Sequence, residues 1–389
     1  MDYKFNRAWA EVDLDAIAHN VREIRRITNK KSEIMGVVKA DAYGHGVIEA
    51  VRTILDNGAT CLAVSMLDEA IQLRENGIDV PILILSYTDP VRAADIIKYN
   101  VTQAVFSQDL ARALSEEAVR QRKNVKIHIK IDTGMTRVGF MPGYSAIKNV
   151  VEISKLPRII VEGLFTHFAS ADEEDKSYTL MQFERFMGIC SELNRIGVYI
   201  PVKHVANSAA IMEYPEMHLN MVRPGIILYG MYPSEEVNRG KLDLRPAMTL
   251  KANVILLKKV EKNTSISYGR IFTTGRESKI ATVPIGYADG YTRLLTGRGK
   301  VLINGEVAPV VGKICMDQCM VDVTDFEKEV KVGDEVVLFG KQGDKIIRVE
   351  DIAGSIGTIN YEIVCVVGKR IPRVYIKDGR IQNVLNYLV

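Results

Sequence analysis

A lysine stands at the end of an apolar segment near the start of the chain. Residues 34–38 predict a buried strand, Lys39 follows them, and the next loop contains Gly44 and Gly46. A lysine amine forms Schiff bases with carbonyl compounds when its surroundings hold it neutral. A single lysine at a strand end is more often only solvated, so the string VVKADAYGHG (37–46) becomes informative only beside other motifs.

Eight further short motifs follow in order, and together the nine span residues 37 to 362. They are DTGMTRVG (132–139), GLFTH (163–167), NSA (207–209), VRPGI (222–226), SYG (267–269), GYADG (286–290), VGKICMD (311–317) and TINYE (358–362). Each motif is weak by itself, but the ordered set resembles the alanine racemases, which carry pyridoxal 5'-phosphate on a lysine. One departure is Lys313, where the family more often has an arginine with its fork of donors.

The resemblance implies two catalytic bases, one for each face of the substrate's Cα. Lys39 would form the Schiff base with the cofactor and, once released by substrate, would move the proton of the D-enantiomer. Tyr268 would serve the L-enantiomer. Because an ordinary tyrosine pKa of about 10 makes a poor base, the family pattern implies activation of Tyr268 by His167, which Arg223 holds in turn.

Arg223 distinguishes this family from most other pyridoxal enzymes. By resemblance it faces the pyridine nitrogen, where other enzymes place a carboxylate. A guanidinium stays protonated and cannot compensate a pyridinium, so the ring nitrogen would remain unprotonated. That weakens the cofactor as an electron sink and suppresses side reactions such as transamination.

The remaining cofactor and substrate contacts also follow from the resemblance. The phosphate would bind the hydroxyls of Tyr43, Ser208 and Tyr361, and the backbone N–H groups of Gly225 and Ile226, a donor set suited to a dianion. Two further groups would bind the substrate carboxylate: they are the Arg137 side chain, which would also face the cofactor's phenolic oxygen, and the backbone N–H of Met316.

Lys130 would bring a second cation close to Arg137 inside the fold, which is costly without an anion. The family's solution is carbamylation of this lysine by CO₂, which converts it into an anion that pairs with Arg137. The sequence keeps the lysine in the motif position, so carbamylated Lys130 is a hypothesis.

The elements that position these side chains alternate between short apolar runs and amphipathic stretches, a rhythm typical of βα units. Eight strands are predicted at 34–38, 61–64, 82–85, 103–105, 126–131, 159–165, 202–206 and 221–222. Eight units in roughly 230 residues favour a (β/α)₈ barrel, whose typical size is about 250 residues. A doubly wound sheet is the alternative, but no strand is followed by GxGxxG or a P-loop.

The segment from Lys126 to Asp132 alternates strictly, so its isoleucines share one face and its polar side chains the other. In a barrel the isoleucines would pack on the helices and Lys130 would point inward. An edge strand with one solvated face would give the same pattern.

After about residue 244 the segments become β-rich and are separated by turns such as Asn304-Gly305, with one helix predicted at 349–356. We therefore predict two domains, a cofactor-binding barrel over 13–244 and a mainly β domain over 245–389. Residues 1–12 are candidates to pair with the second domain.

Composition restricts the class of protein. Its 51 Lys and Arg and 48 Asp and Glu give a net charge of +3 without long charge runs, which argues against nucleic-acid binding. No apolar run reaches the roughly 18–20 residues of a membrane span. Five scattered cysteines predict free thiols and a cytoplasmic location, and their spacing predicts no metal site.

Several functions remain open on these grounds. The first is interconversion of L- and D-alanine, supplying D-alanine for peptidoglycan, and the alternative is a racemase of broader scope that accepts serine or larger amino acids. A decarboxylase on the same plan would need a carboxylate in place of Arg223, and a non-catalytic pyridoxal-binding protein would lack the second domain. The resemblance also implies a homodimer in which Tyr268 and Met316 complete the partner's active site.

Overall fold

A computed structural model describes residues 7–389 of the protein. It divides the chain into two compact units. The first unit contains Ala16–Ala42 and Val47–Arg245, and the second contains residues 7–15, Tyr43–Gly46 and Pro246–Val389. Part of the predicted pairing of residues 1–12 falls on residues 1–6, which lie outside the described residues.

The first unit is built on eight parallel strands. After β1 (Ala8–Asp13), which belongs to the second unit, come β2 (Glu33–Val37), β3 (Cys61–Val64), β4 (Ile82–Ile84), β5 (Thr102–Val105), β6 (Val125–Lys130), β7 (Ile159–Phe165), β8 (Val202–His204) and β9 (Met221–Val222). Their order in the sheet is β8-β7-β6-β5-β4-β3-β2-β9, and every ladder is parallel. The N–H groups of Asn220 and Arg223 donate to the carbonyls of Lys203 and Ala206, joining the two ends of the sheet. The predicted (β/α)₈ barrel is confirmed.

Helices connect these strands and cover the sheet. They are α1 (Leu14–Ile27), α2 (Lys39–Tyr43, a turn of left-handed sense), α3 (Val47–Asp56), α4 (Leu67–Glu75), α5 (Ala93–Lys98), α6 (Gln108–Arg120), α7 (Tyr144–Ser154), α8 (Ser177–Arg195) and α9 (Ser208–Glu213). α6 is representative: the hydroxyl of Ser107 accepts from Leu110 N at its start, and buried Leu110, Leu114 and Ala118 recur every three or four residues. Among the described residues no helix is both long and apolar enough to cross a membrane.

Strand β6 is buried on both faces. Ile127 and Ile129 are buried on one side, and His128 and Lys130 are only 2% and 4% exposed on the other. Because β6 lies between β5 and β7, the edge-strand interpretation of its alternating sequence is wrong. Its polar side chains instead meet those of β7 and β8 within the barrel, where Lys130 lies over the ring of Phe165.

The second unit is mainly β-structure. Its further strands are β10 (Met248–Asn253), β11 (Leu256–Val260), β12 (Ser265–Ile266), β13 (Phe272–Thr273), β14 (Ser278–Val283), β15 (Lys300–Ile303), β16 (Glu306–Val311), β17 (Cys319–Asp322), β18 (Glu335–Gln342), β19 (Lys345–Ile347), β20 (Arg373–Lys377) and β21 (Arg380–Leu385). The main sheet runs β11-β14-β17-β16-β15-β18-β10-β1-β20-β21. The predicted helix appears as α10 (Val349–Ile356), and a second helix, α11 (Asn360–Cys365), was not predicted.

Candidate active site

Most of the predicted site residues of the barrel unit follow the carboxyl ends of strands. Lys39 follows β2, Lys130 ends β6, His167 follows β7 and Arg223 follows β9. In a parallel barrel these ends meet at one rim, where catalytic groups of this fold gather. The first unit therefore carries a cluster of basic side chains at one end of its barrel.

Arg223 is buried and well supplied with acceptors. Its Nη1 donates to His204 Nδ1 at 2.7 Å and to the His204 carbonyl at 3.0 Å, and its Nη2 donates to the carbonyls of Thr166 and Val205 at 2.8 and 3.1 Å. Within the described part of the chain no carboxylate forms an ion pair with it. Burial, with a contribution from Arg137, lowers the pKa of Arg223 to about 9. Neutral groups thus hold the guanidinium in place, and no negative charge among the described residues compensates its positive charge.

A chain of two buried histidines leads away from Arg223. Because a guanidinium only donates, His204 Nδ1 must accept, which places the His204 proton on Nε2. That nitrogen lies 2.8 Å from His128 Nδ1, and His128 Nε2 lies 3.4 Å from Glu162 Oε2. Burial lowers the pKa of both histidines, so each is neutral at neutral pH. The hydrogen bond from His128 and the neighbouring Lys126 lower the pKa of Glu162 to about 2.

His167 lies on the other side of the guanidinium. Its Nδ1 is 3.4 Å from Arg223 Nη2, a long contact. Burial and the nearby charges of Lys130, Arg223 and Arg137 lower the pKa of His167 well below its ordinary value. The imidazole is therefore neutral, and because Nδ1 faces a group that only donates, its proton lies on Nε2.

Lys130 is a buried amine without an acidic partner. Its Nζ lies 4.8 Å from the centre of the Phe165 ring, and no ion pair joins it to any described carboxylate. Burial and the charges of Arg223 and Arg137 lower the pKa of Lys130 well below its ordinary value. The lowered pKa favours the neutral amine, which is the nucleophilic form that carbamylation would require.

The loop that carries Arg137 is shaped by an acid that the sequence analysis did not single out. The buried carboxylate of Asp132 accepts hydrogen bonds from the N–H groups of Gly134, Thr136 and Arg137 at 3.1, 2.9 and 2.8 Å. Aspartate at the start of such a turn is a recognised signal that could have been used. The Arg137 side chain itself is exposed and, among the described residues, forms no ion pair.

The residues after Lys39 adopt a conformation that their types disfavour. Ala40, Asp41 and Ala42 have φ between 52° and 54°, and Tyr43 has φ 54°. For residues other than glycine this left-handed form costs about 1–2 kcal/mol each. Hydrogen bonds compensate part of that cost, because Ala40 N donates to Glu69 Oε1 at 2.6 Å and Asp41 Oδ1 accepts from Val47 N at 2.7 Å.

The predicted phosphate-binding residues fall in both units. In the barrel unit the hydroxyl of buried Ser208 accepts from Gly225 N at 2.9 Å and keeps its own proton for a ligand, and Ile226 follows directly. In the second unit the rings of Tyr43 and Tyr361 lie 6.1 Å apart, and burial raises the pKa of Tyr43. Both sets present neutral hydroxyl and N–H donors.

Tyr268 and Met316 lie on two neighbouring loops of the second unit. Both side chains are exposed, at 68% and 52%. The loops are joined through Ser267, whose hydroxyl donates to the Lys313 carbonyl at 2.6 Å and lies 3.6 Å from the Cys315 thiol. Lys313, the departure from the family pattern, therefore contributes its backbone to this junction.

Comparison with known proteins identifies the family. The model of the alanine racemase N-terminal domain matches residues 12–233, and that of the C-terminal domain matches residues 247–375. The chain belongs to the alanine racemase family. It is 51% identical over 381 residues to the alanine racemase of Clostridium tetani, covering 98% of each chain, and 52% identical over 368 residues to that of Methanococcus maripaludis, covering 95% of this chain and 98% of the relative.

Solved structures agree with the sequence relatives. The alanine racemase of Clostridium difficile 630 superimposes with a TM-score of 0.95 at 45% identity, covering 99% of this chain and 100% of that one. The alanine racemase of Bacillus anthracis with bound L-Ala-P gives 0.93 at 39% identity, covering 99% and 98%. This family member is therefore an isomerase built as a barrel followed by a mainly β domain.

Proposed function

We propose that this enzyme interconverts L-alanine and D-alanine with pyridoxal 5'-phosphate attached to Lys39, and that it supplies D-alanine for peptidoglycan. The observation that carries the proposal is the buried Arg223 guanidinium, held only by neutral acceptors within the described chain. Identity of about half the residues to alanine racemases over almost the whole chain supports the substrate.

The residues present fit this cofactor. Buried Arg223 forms no ion pair with a carboxylate among the described residues, and the nearby Lys130 amine can take up a proton, so the region suits an anionic ligand. Tyr43, Ser208, Tyr361, Gly225 and Ile226 would hold the phosphate, and Lys39 and Arg223 would hold the ring end. When bound, pyridoxal phosphate supplies the sink for the electron pair left behind when the Cα proton departs.

Two bases would act on the substrate's Cα. Lys39 would move the proton of D-alanine, and Tyr268 of the partner subunit would move that of L-alanine. The high exposure of Tyr268 and Met316 supports a homodimer in which both are covered by a second copy. His167, neutral and with Nδ1 facing Arg223, would carry its proton on Nε2 and donate to the tyrosine oxygen, which stabilises the phenolate and so favours proton release.

Arg223 would face the pyridine nitrogen and Arg137 the substrate carboxylate, together with the backbone N–H of Met316. Since Arg223 cannot balance a positive pyridinium, the ring nitrogen would stay unprotonated, which opposes a decarboxylase function. Addition of CO₂ to the neutral Lys130 amine, with loss of one proton, would give a carbamate anion able to pair with Arg137.

Chiral product analysis tests the proposal. The purified enzyme, loaded with pyridoxal phosphate, is expected to convert L-alanine to a mixture approaching equal amounts of both enantiomers, and to act more slowly on L-serine and larger L-amino acids. Lys39→Ala should abolish the conversion. A preference for serine would replace the proposal by the broader racemase, and decarboxylation products would overturn it.

A second measurement tests the dimer. A variant with charged substitutions around the exposed Tyr268 loop, for example Ile271→Glu, should sediment as a monomer and retain covalent cofactor while losing racemisation. A fully active monomer would contradict the shared site.

A further inference from the structure

The short turn that follows Lys39 needs support from outside itself. Ala40, Asp41 and Ala42 are all left-handed, and within the turn Ala42 N donates to Val38 O at 2.9 Å. Side chains with a Cβ disfavour this conformation, so an isolated segment of this sequence would leave it. Neighbouring groups must therefore hold the turn in place.

Glu69 provides such a hold from the adjacent βα unit. Its Oε1 accepts from Ala40 N at 2.6 Å, and its Oε2 accepts from Ser65 N at 2.7 Å and Met66 N at 3.2 Å. Glu69 lies in the first turn of α4, which follows β3, and β3 pairs with β2, the strand that leads to Lys39. One carboxylate thus ties together the ends of two neighbouring strands.

The two oxygens of Glu69 do different things. A glutamate at this helix position ordinarily bonds back to the N–H groups at the start of its own helix, as Oε2 does here. Helix capping does not explain the Oε1 bond, which reaches an amide 29 residues earlier in the chain. That amide belongs to the residue directly after Lys39.

We propose that Glu69 is a positioning residue that fixes the backbone at Lys39, and so the place from which the Lys39 amine reaches cofactor and substrate. The inference rests on the proposed function of Lys39 as attachment and proton-transfer residue. Proton transfer and covalent attachment both depend steeply on geometry, so loosening the neighbouring peptide should slow both.

Glu69→Gln separates the two contacts. Glutamine keeps one carboxamide oxygen, which can still cap α4, but its NH₂ group cannot accept from a second N–H. A matched control is Ser107→Ala, which removes the hydroxyl cap of α6 in the same barrel and touches nothing near Lys39. Glu69→Asp, which keeps both oxygens on a shorter side chain, serves if the glutamine variant does not fold.

The first readout needs no catalysis. Hydrogen exchange of the peptide containing Ala40 is measured by mass spectrometry in the cofactor-free protein, together with the rate at which added pyridoxal phosphate becomes fixed to Lys39 on borohydride reduction. In Glu69→Gln we expect Ala40 exchange about tenfold faster and attachment about tenfold slower, the size expected for loss of a hydrogen bond to a charged acceptor. Ser107→Ala should match the wild type in both.

The second readout distinguishes positioning from general weakening. With alanine deuterated at Cα, the primary isotope effect on kcat/KM should rise for D-alanine, whose proton Lys39 moves, and stay unchanged for L-alanine. The proposal would be overturned if both Glu69 variants matched the wild type in the Ala40 exchange rate, the rate of cofactor attachment and the isotope effects. Absence of borohydride-fixed cofactor at Lys39 in the wild type would instead overturn the proposed function.

Discussion

Replacing His204 by phenylalanine tests whether the buried histidine chain holds Arg223. The His204 ring stacks on Phe165, with centroids 4.8 Å apart and planes 4° apart, and a phenyl ring keeps that contact. Two hydrogen bonds are lost, the charged one from Arg223 at 2.7 Å and the neutral one to His128 at 2.8 Å. At about 1.5–3 kcal/mol for the first and about 1 kcal/mol for the second, we expect a loss of roughly 3 kcal/mol.

For a folding unit of this size, such a loss lowers the melting temperature by roughly 6–12 °C, which scanning calorimetry measures directly. His218→Phe is the matched control. His218 is also buried and also makes two hydrogen bonds, from Asn29 N at 3.1 Å and to Ile211 O at 3.0 Å, but neither involves a cation. Both variants should therefore lose stability.

Only His204→Phe should impair racemisation, because only it frees Arg223 to reorient. We expect at least about a tenfold fall in kcat/KM for His204→Phe at 25 °C, equivalent to about 1.4 kcal/mol, and little change for His218→Phe. If the melting temperature of His204→Phe equals that of the wild type, or if both variants lose activity equally, the idea that the buried histidine chain positions Arg223 is refuted.

Three further perturbations follow from the same part of the barrel. Because the pKa of Glu162 falls from 4.5 to about 2 on folding, its carboxylate stabilises the protein above about pH 4.5 and loses this effect as the pH falls toward 2. After discounting for its partial exposure, Glu162→Gln should cost about 1–2 kcal/mol in urea unfolding at pH 7 and progressively less below pH 4.5, and a pH-independent difference would contradict this. Gly163→Ala would place a Cβ 2.4 Å from the His128 ring, so it should cost about 1–3 kcal/mol, and a calorimetric trace like the wild type's would show that the ring can move away. In ¹³C-labelled bicarbonate the wild type should show a carbamate carbonyl resonance that Lys130→Ala lacks, and the variant should lose at least about tenfold in kcat; a bare amine in the wild type would exclude the carbamate.

The barrel strands were the most predictable part of the fold. Every predicted strand boundary in the barrel unit lies within two residues of the observed one. The reason is physical: parallel strands buried on both faces form uninterrupted apolar runs such as Cys61–Val64, and the residues that follow them change character at once. In the second unit the sequence does not show where β10 ends and β11 begins, because residues 254–255 between them are themselves apolar.

The left-handed turn after Lys39 could not be predicted from its residues. Alanine and tyrosine disfavour positive φ, aspartate adopts it only occasionally, and the contacts that hold the turn come from Glu69 and Val47. In the sequence, Glu69 in turn resembles any acidic residue in the first turn of a helix. Local sequence therefore identifies Lys39 as a candidate but gives no information on how its backbone is held.

The histidine chain was hidden for a similar reason. In the sequence, His128 is one of several polar residues in an alternating strand, and its partner His204 lies 76 residues later in the chain. Only the barrel topology, which brings polar side chains of β6 and β8 together beside β7, reveals that they meet. Sequence spacing predicts contacts within an element or between adjacent elements far better than contacts across a barrel interior.

The electrostatics of the barrel explain why its basic groups can be buried together. Arg223 donates to carbonyls and to neutral imidazoles, whereas burial and neighbouring charges lower the pKa values of His167 and Lys130 and so oppose a charge on either group. Lowered pKa values at these neighbours reduce the positive charge buried near Arg223, which is compatible with a folded protein before any ligand binds. The same arrangement favours anionic ligands, since an anion that enters meets an uncompensated guanidinium, together with an amine and an imidazole that can each take up a proton. Binding an anion would therefore raise the pKa values of Lys130 and His167, so the protonation state of the two depends on what occupies the site.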